Sequence, residues 1–418
     1  MIIGGGPAGA TAAGELRKLD PKSSITLVSD ENYAFYKRSQ IINLVSNSCT
    51  EDDLFLKGKE YYNQIKVNFR YGHVSKVIPE KNHIIFDDDS VLDYDSLLIA
   101  TGGNPIVVPW EGVNLNGVTT LYTLDDAKKV AKLACNVKNA VIIGGGSIAM
   151  KIVHNLSKIG LNISIIEKAS HLWPIGFDRK VARIIEMRLK EIGVNIYLNE
   201  EVLRFDGNNG RVRSVILKSR KELPADMVII TIGMRPNINF LKESAIKTDK
   251  GIIVDKYLRT NFPNIYAAGD VAQTEDPLYN SAILHPTWGN AKKQAKIAAK
   301  NMTGNNIKYE GTILIQSIKV FEYRAIAAGI THSKHNYDEI SSVSFQKGSS
   351  RKFVTNNDNL IGILILEKNL NKKELKPLIK KGVYHMVNVS DYKTDLLKEN
   401  FNFKKLKEKN TVLSEKII

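Results

Sequence analysis

Two glycine-rich segments each stand between a predicted strand and a predicted helix. The first, Gly4-Gly5-Gly6-Pro7-Ala8-Gly9, follows an apolar start and precedes a helix predicted from Ala10 to Leu19. The next predicted strand, Ile25–Val28, ends at Asp30 and Glu31. In such a unit the first glycine permits a tight turn, the second lets backbone approach a pyrophosphate and the third lets helix pack on strand. The free N–H groups of the helix N-terminus then face the phosphates.

The same unit recurs about 140 residues later. A predicted strand, Ala140–Ile143, leads into the second glycine segment, a helix to about Ile159 and a strand Ile163–Ile166 closed by an acid. A chance loop has no reason to repeat together with its strands and its acidic terminus, so the sequence predicts two dinucleotide sites. The predicted contact residues are Gly4, Gly6, Pro7, Ala8, Gly9, Asp30 and Glu31 in the first unit and Gly144, Gly146, Ser147, Ile148 and Glu167 in the second.

Three apolar segments that end in small residues accompany these units. They are Asp95–Gly103, with the turn Ala100-Thr101-Gly102, then Ala225–Pro236, with Gly233, and Thr260–Asp270, with Gly269 before the aspartate. From about Gly311 the pattern changes to strands (Ile313–Phe321, Ser341–Phe345 and Leu360–Leu366) followed by helices, which predicts a separate α+β domain. No long Pro/Gly/Ser linker marks a boundary, so the second unit is predicted to be an insertion within the first.

Composition excludes several classes of protein. The 418 residues are 43% apolar and 25% charged, which is typical of globular proteins and sufficient for two to four domains. The two cysteines, Cys49 and Cys135, exclude a disulfide framework and a cysteine-ligated zinc or iron–sulfur site. No apolar run reaches the roughly 18 residues that cross a bilayer. We therefore expect a soluble cytoplasmic protein without a membrane or metal site, as a monomer or homodimer.

The net charge of +15 leaves several partners open. Nucleic acid, an anionic membrane surface and an acidic protein are the usual partners, while a lysine-rich solvated surface needs none. The lysine pairs near the C-terminus (Lys372–Lys373, Lys380–Lys381 and Lys404–Lys405) are interrupted by acids and indicate helix faces. No aromatic residues interleave with basic ones as in a single-strand groove, so we expect no nucleic-acid partner.

The order of these motifs resembles the two-dinucleotide-binding flavoproteins of the pyridine nucleotide-disulfide oxidoreductase superfamily over nearly the whole chain. The resemblance implies an α/β fold of two Rossmann-like domains and a C-terminal α+β domain. Residues 1–108 and 231–308 would bind FAD, residues 109–230 NAD(P)H, and residues 309–418 would form a dimer interface or acceptor surface. The Asp270 carboxylate would accept a hydrogen bond from the flavin ribityl chain. Further cofactor contacts are expected from Val74, Ala100, Thr101, Gly102, Gly233 and Gly269.

The redox cysteines of the disulfide reductases have no counterpart here. That branch places Cys-x-x-x-x-Cys after the second strand, where this chain has Tyr33-Ala-Phe-Tyr-Lys-Arg-Ser-Gln-Ile-Ile. A single-cysteine branch would have cysteine roughly at Ser39. Cys49 lies about ten residues further on, and its neighbours Ser48 and Thr50 offer no base to form a thiolate. Cysteine-based chemistry is therefore not expected.

Tyr36-Lys37-Arg38 resembles a segment of rubredoxin reductases, oxygenase-type ferredoxin reductases and the flavin module of NADH-nitrite reductases. Thr287-Trp288-Gly-Asn-Ala291 resembles the same branch, in which the tryptophan lies near the isoalloxazine ring. The alternative is that Trp288 is an aromatic residue of the hydrophobic core and does not contact the flavin. Lys37 or Arg38 near the flavin would stabilise the negative charge of the reduced ring, and a surface cation is the alternative. Lys151 stands where the branch has a glutamate that helps place the nicotinamide.

The expected function is an FAD-dependent NAD(P)H oxidoreductase that passes electrons from NADH through flavin to a small acidic carrier such as rubredoxin or ferredoxin. Glu167 favours NADH, since a carboxylate accepts from the ribose 2′-OH and repels a 2′-phosphate; Ala149 and Lys168 leave NADPH open. An NADH oxidase, or the flavin subunit of a larger reductase, is one alternative. A redox-sensing flavoprotein like apoptosis-inducing factor, which is not an enzyme in that role, is another.

Overall fold

The computed structural model describes residues 1–58, 60–279, 281–331, 337–370, 375, 378–383, 385–398, 401 and 406. These residues form two compact units. Unit 1 comprises Met1–Pro105, Tyr122–Leu124 and Met234–Thr312. Unit 2 comprises Ile106–Leu121, Asp125–Gly233 and the described residues from Ile313 onward.

A five-stranded parallel sheet forms the centre of unit 1. Its spatial order is Ile265–Ala267, Leu97–Ile99, Ile2–Ile3, Thr26–Ser29 and Asn68–Tyr71. Helices Pro7–Leu19 and Trp288–Met302 bury one face through small side chains, among them Ala13 and Ala295. Small residues let these two helices approach each other and the sheet closely. Because all five strands are parallel, their carboxyl ends lie along one edge.

Smaller sheets accompany this parallel sheet, and one of them covers its opposite face. Val74–Ile78, His83–Phe86 and Val91–Asp93 form a three-stranded sheet whose apolar side chains share a core with Ile3, Val28 and Ile99. Gly103–Pro105 pairs with Met234–Pro236, and Ala272–Asp276 lies between Ile252–Ile253 and Ser281–Leu284. The short helices of this unit are Arg38–Gln40, Ile42–Val45, Asp52–Leu54, Tyr61–Gln64, Pro79–Lys81 and Asn239–Leu241.

Unit 2 repeats the parallel architecture. The spatial order of its sheet is Asn195–Leu198, Asn162–Glu167, Asn139–Ile143, Met227–Ile230 and Val118–Thr119. The register places Ile143 beside both Ile166 and Ile230. The helices are Leu124–Ala134, Ser147–Leu156 with the single turn Ser157–Ile159, and Arg179–Glu191. An antiparallel sheet of Val202–Asn208, Arg211–Leu217 and Glu222–Pro224 completes this part of the unit.

The C-terminal part of unit 2 is a five-stranded antiparallel sheet. Its spatial order is Ile315–Val320, Tyr323–Gly329, Asn359–Lys368, Ser349–Asn356 and Asp338–Ser344. Beyond it the described residues form only the turns Leu378–Val383, Ser390–Tyr392 and Asp395–Leu397. The lysine pairs Lys372–Lys373 and Lys404–Lys405 lie outside the described residues, as do the side chains of Lys380–Lys381.

The predicted α/β class with parallel, Rossmann-like sheets is confirmed. The insertion of one domain in the other and the role of the C-terminal domain stay predictions. The first helix begins at Pro7 rather than at Ala10, because proline at the first helical position loses no hydrogen bond there and its fixed φ is already helical. None of the helices in the described part of the chain is both long and apolar enough to cross a membrane.

Candidate functional site

The first glycine loop lies over the carboxyl ends of the unit 1 strands. Gly4 has a φ of +111°, and a Cβ there would lie 2.2 Å from the carbonyl oxygen of Ala100. A Cβ at Gly9 would lie 1.8 Å from the Gly4 oxygen, so both positions require glycine. Gly6, in contrast, has no atom within 4 Å of its ideal Cβ position. The loop thus packs tightly at both ends and leaves open space in its middle.

Helix Pro7–Leu19, which follows this loop, begins without a side-chain cap. Its N-cap is Gly6, which has no side chain to accept from the first-turn N–H groups. Helix Arg179–Glu191 is different, since its N-cap Asp178 accepts from the Val181 N–H. An uncapped N-terminus next to open space is the arrangement that binds a phosphate group.

Asp270 lies at the same edge of the sheet, after strand Ile265–Ala267. It is half-buried, and its carboxylate accepts no hydrogen bond from any residue that the structure describes. Burial raises the pKa of Asp270 to about 6, although the nearby Arg38 guanidinium opposes the rise. Gly269, with a φ of +90°, lets the chain turn against the start of the first helix, where its ideal Cβ would lie 3.1 Å from that of Ala8. A carboxylate without donors at a strand end is suited to accept from a bound hydroxyl.

Arg38 is held by a network of polar side chains in unit 1. Its Nη2 forms an ion pair with Glu31, and its Nη1 donates to the Tyr122 carbonyl at 2.9 Å. The guanidinium also lies 4.4 Å from the centre of the Tyr122 ring. The Tyr36 hydroxyl donates to the other Glu31 oxygen at 2.6 Å, and burial raises the pKa of Tyr36. Glu31 is therefore engaged by two protein donors, whereas the neighbouring Asp30 is exposed.

Trp288 and Lys37, which were also predicted to lie near the flavin, belong to segments that adjoin this network. Trp288 is the first residue of its helix, and its ring stacks on Phe35 at a centroid distance of 5.4 Å and an angle of 12°. Phe35 directly precedes Tyr36, so the stack brings together the two segments that carried the branch resemblance. Lys37 Nζ donates to the Asp53 carbonyl at 3.0 Å. Val74 is buried in the core beneath the sheet.

The turn after strand Leu97–Ile99 closes the unit 1 site. The Ala100 N–H donates to the Ile3 carbonyl at 2.8 Å and fixes the turn beside the glycine loop. The Thr101 hydroxyl donates to the Asn237 carbonyl at 2.8 Å, and the Asn237 N–H donates to the Gly102 carbonyl at 2.9 Å. These bonds join two chain segments that are distant in sequence, and they place the predicted residues Ala100, Thr101 and Gly102 at the same edge as Asp270.

The second glycine loop has the same construction in unit 2. Gly144 has a φ of +95°, and its ideal Cβ would lie 2.6 Å from the Thr231 carbonyl oxygen. Gly146 has no atom within 4 Å of its ideal Cβ, and it is the uncapped N-cap of helix Ser147–Leu156. In the first turn Ile148 is 43% exposed, whereas Ala149, which replaces the third glycine, is fully buried. Gly233 has a φ of +128° after the neighbouring strand.

Glu167 ends the strand next to this loop and binds backbone on both sides. Its Oε2 accepts from the Gly145 N–H at 2.7 Å, and its Oε1 accepts from the Ala169 N–H at 2.8 Å. Lys168 left the predicted preference between NADH and NADPH open. Its Nζ lies 3.2 Å from a Glu201 carboxylate oxygen. Lys151 is half-buried on the helix that the loop begins. The carboxylate of Glu167 is thus fixed at the loop, and the cation beside it has an acidic partner.

Sequence reasoning missed three residues that shape these loops. Tyr122 belongs to unit 1, although it lies within a segment predicted for the second domain. Ser29 accepts from the Glu31 N–H at 3.1 Å, and the Thr231 hydroxyl donates to the Ile143 carbonyl at 3.0 Å. A polar residue at the end of a buried strand was the available signal for Ser29 and Thr231. The residues around Tyr122 in the sequence carry no signal that would have assigned it to unit 1.

The surroundings of Cys49 disfavour a thiolate. Cys49 and Cys135 are both free, and Cys49 is half-buried. Burial, together with the Asp53 carboxylate, raises the pKa of Cys49, so that its thiol stays protonated at neutral pH. Among the described residues there is also no group of three or more His, Cys, Asp or Glu side chains arranged to hold a metal ion.

Alanine substitutions at Gly6 and Gly9 are predicted to affect stability very differently. Gly6→Ala is expected to change the free energy of unfolding by no more than about 0.5 kcal/mol, since its Cβ meets no protein atom. Gly9→Ala should destabilise the protein by about 1–3 kcal/mol or more, because its Cβ overlaps the Gly4 carbonyl. Urea unfolding of both variants measures this. Equal stability losses would contradict the described loop.

Residues 1–320 match the pyridine nucleotide-disulphide oxidoreductase family. Among similar curated proteins, the nitrite reductase (NAD(P)H) of Bacillus subtilis (strain 168) is 27% identical over 384 residues, which are 91% of this chain and 47% of that protein. The rubredoxin-NAD(+) reductase of Pseudomonas putida is 29% identical over 309 residues, which are 73% of this chain and 80% of that protein. The chain spans about half the length of the nitrite reductase and of an assimilatory nitrate reductase electron transfer subunit of Bacillus subtilis (strain 168).

Solved structures share the fold. Putidaredoxin reductase in its covalent complex with putidaredoxin superposes with a TM-score of 0.87 at 23% identity, covering 97% of both chains. An NAD-dependent persulfide reductase from A. fulgidus also gives a TM-score of 0.87, at 25% identity, over 93% of this chain and 77% of that one. The predicted family, whose members bind FAD and NAD(P)H, and its oxidoreductase class are confirmed. The chain belongs to the pyridine nucleotide-disulphide oxidoreductase family.

Proposed function

We propose that the chain is an FAD-dependent NAD(P)H oxidoreductase that takes electrons from NADH and passes them through flavin to a small electron carrier such as rubredoxin or ferredoxin. The observation that carries this proposal is the repeated site. Each unit has a parallel sheet, an uncapped helix N-terminus and a glycine with open space at its Cα, with an acid at the end of the neighbouring strand.

FAD fits the edge of unit 1. Gly4, Gly6 and the first helical turn (Pro7, Ala8 and Gly9) would hold the pyrophosphate, with the open space at Gly6 as the cradle. Asp270, whose carboxylate lacks a donor among the described residues, would accept from a ribityl hydroxyl. The turn at Ala100, Thr101 and Gly102 lies at the same edge, and Asp30 and Glu31 are the candidates for the adenosine ribose.

NAD(P)H fits the corresponding edge of unit 2. Gly144, Gly146, Ser147 and Ile148 would hold its pyrophosphate at the uncapped helix N-terminus. Glu167 would accept from the adenosine ribose, since each of its oxygens keeps a lone pair beyond its backbone bond. Lys168 is paired with Glu201, which weakens its attraction for a 2′-phosphate. These features favour NADH over NADPH.

FAD, when bound, supplies the redox chemistry by taking up a hydride equivalent from the nicotinamide and releasing electrons singly to a carrier. The protein residues position the cofactors and supply charge. Arg38, fixed by Glu31 and by the Tyr122 carbonyl, would present a permanent positive charge to the flavin. The stacked Phe35 and Trp288 rings would cover apolar surface beside it. No side-chain acid or base is required.

The flavin module of a larger reductase is a second candidate, and the extent of the match favours it. The match to the nitrite reductase covers 91% of this chain, against 73% for the Pseudomonas putida rubredoxin-NAD(+) reductase. The longer match includes most of the C-terminal domain. In that case the direct acceptor would be a redox centre of the larger assembly rather than a diffusible carrier.

The Asp270 carboxylate is predicted to control flavin binding. Asp270→Ala should weaken FAD binding about tenfold or more, because a hydrogen bond to a charged group contributes roughly 1.5–3 kcal/mol. Since the pKa of Asp270 is about 6, FAD affinity should fall as the pH drops through 6 and the charged acceptor is lost. Asp270→Asn should bind FAD without this pH dependence. Flavin fluorescence during titration measures both effects; an unchanged FAD dissociation constant in Asp270→Ala would contradict the assignment.

Glu167 is predicted to set the preference for NADH. Glu167→Gln removes the negative charge and replaces one of the two oxygens that accept from backbone N–H groups by a donor. The second effect acts on both nucleotides, so the loss of charge should make the ratio of flavin-reduction rates with NADH and NADPH fall about tenfold. Stopped-flow reduction with each nucleotide measures the ratio. Glu191→Gln, which removes a carboxylate at the end of a helix elsewhere in unit 2, is the control and should leave the ratio unchanged. A wild-type protein that is reduced faster by NADPH would overturn the preference.

The acceptor is predicted to be an acidic electron-transfer protein that electrostatic attraction brings to this basic chain. The net charge of +15 should raise encounter rates with an acidic rubredoxin or ferredoxin by about tenfold or more at low salt. The gain should vanish at molar salt, where the Debye length is about 3 Å. NADH-driven reduction of rubredoxin, ferredoxin, flavodoxin, cytochrome c and oxygen across ionic strength is the test.

The outcomes of that experiment separate the candidates. A preference for acidic carriers that declines with salt supports the proposed function. Equal or faster turnover with oxygen or with basic cytochrome c would replace it with an NADH oxidase. Rapid dye reduction without reduction of any carrier would favour the module of a larger reductase.

A further inference from the structure

A buried lysine of the C-terminal sheet contacts the nucleotide-binding part of unit 2. Lys352 lies on strand Ser349–Asn356 and is only 4% exposed. Its Nζ is 2.8 Å from Glu339 Oε1 and 3.5 Å from Asp178 Oδ2. A buried ammonium group requires such partners, because an unpaired charge out of water is strongly unfavourable. The lysine therefore connects two carboxylates from different parts of the unit.

Asp178 uses its two oxygens for different purposes. Oδ1 accepts from the Val181 N–H at 2.9 Å and caps helix Arg179–Glu191, while Oδ2 faces Lys352. A carboxylate is favoured at a helix N-terminus, and the ammonium group stabilises it further. The start of this helix is thus tied to the C-terminal sheet through one side chain.

The segment 171–178, which ends at Asp178, lies directly on the second glycine loop. The Trp173 N–H donates to the Gly145 carbonyl at 2.8 Å, and Leu172 Cδ2 lies 2.6 Å from the ideal Cβ position of Gly145. The Leu172 N–H donates to the buried Glu186 carboxylate on the same helix at 3.0 Å. Trp173 is 2% exposed and packs edge-on against Phe177 at 4.6 Å. The segment therefore contacts Gly145 at one end and begins the helix at the other.

We propose that Lys352 is a positioning residue for the nicotinamide dinucleotide. By holding Asp178 it fixes segment 171–178, and through Trp173 it fixes the Gly145 carbonyl and the loop 144–146. Without the ammonium group, the Asp178 and Glu339 carboxylates would face each other and repel, and the segment would loosen. This inference rests on the proposed function, since it takes loop 144–146 as the NAD(P)H site.

Other contacts hold the C-terminal sheet in place when Lys352 is changed. The Phe321 N–H donates to His154 Nδ1 at 3.1 Å; burial, with the neighbouring cations Lys158 and Lys319, lowers the pKa of His154 and keeps it a neutral acceptor. Arg188 Nε also lies 3.1 Å from Glu322 Oε1. We therefore expect a substitution at Lys352 to alter segment 171–178 rather than to detach the sheet.

The test compares Lys352→Met with a matched control in the flavin-loaded full chain. Arg351→Met removes the neighbouring buried cation, which is also 4% exposed but binds Glu367 and the Lys398 carbonyl instead. Hydrogen exchange of amides 171–178, without nicotinamide nucleotide, should accelerate in Lys352→Met only. NAD⁺ binding by calorimetry should weaken about tenfold in that variant, the order of effect expected when a positioning group is lost. FAD content should not change, and Lys352→Arg should restore both properties.

The opposite results would overturn the inference. Wild-type exchange and NAD⁺ affinity in Lys352→Met, or the same losses in Arg351→Met, would show that Lys352 has no specific role. If Lys352→Met does not fold, Asp178→Asn keeps the helix cap and removes the charge, and unchanged exchange in that variant would equally overturn it. A wild-type chain that binds neither NADH nor NADPH would refute the proposed function instead, while the exchange comparison would still test the link to segment 171–178.

Discussion

The glycine loops of both units depend on the close approach of a glycine to the carbonyl oxygen that ends a neighbouring parallel strand. Gly4 meets Ala100 in this way, and Gly144 meets Thr231. Each contact brings the following helix directly over the strand ends, so that its N-terminus opens onto the carboxyl edge of the sheet. The adjacent strands then deliver Asp270 to one edge and Glu167 to the other. A single backbone constraint thus creates two sites with the same geometry.

Electrostatics distinguishes the two sites. In unit 1 the Arg38 guanidinium is paired with Glu31, and Asp270, which lacks a protein donor among the described residues, has a raised pKa. Burying a carboxylate without a donor is unfavourable, and a hydroxyl that donates to Asp270 would offset that cost. In unit 2 two backbone N–H groups hold the Glu167 carboxylate in position at the second glycine loop. We infer that the first carboxylate contributes mainly to affinity and the second mainly to selectivity.

The sequence predicted the local units well because their signals lie within about 30 residues of each other. The predicted helix to about Ile159 is found as Ser147–Leu156 plus one further turn, and the predicted strand Ile163–Ile166 as Asn162–Glu167. The strands Tyr323–Gly329 and Ser349–Asn356 were missed, although both form hairpins with neighbouring strands. Alanine, glycine and lysine, which are depleted in strands, interrupt their apolar pattern.

Contacts between distant segments were likewise beyond prediction. The return of Tyr122 to unit 1 under the Arg38 guanidinium has no signal in its neighbours, since it depends on a packing contact 84 residues away. The burial of Lys352 contradicts the usual exposure of lysine, and only its two carboxylate partners explain it. Most of the predicted site residues, in contrast, follow strand ends or begin helices, so short-range sequence patterns place them at the sheet edges. Val74, buried in the core, is an exception.

In the proposed function a nicotinamide nucleotide reduces the bound flavin without participation of a thiol. Anaerobic titration of the purified protein with NADH, followed by flavin absorbance, tests it most directly. We predict complete bleaching of the flavin with one equivalent of NADH per FAD. The same stoichiometry is expected when Cys49 and Cys135 are both replaced by serine. A requirement for a second equivalent that disappears with the cysteines, or a flavin that NADH and NADPH both fail to reduce, would contradict it.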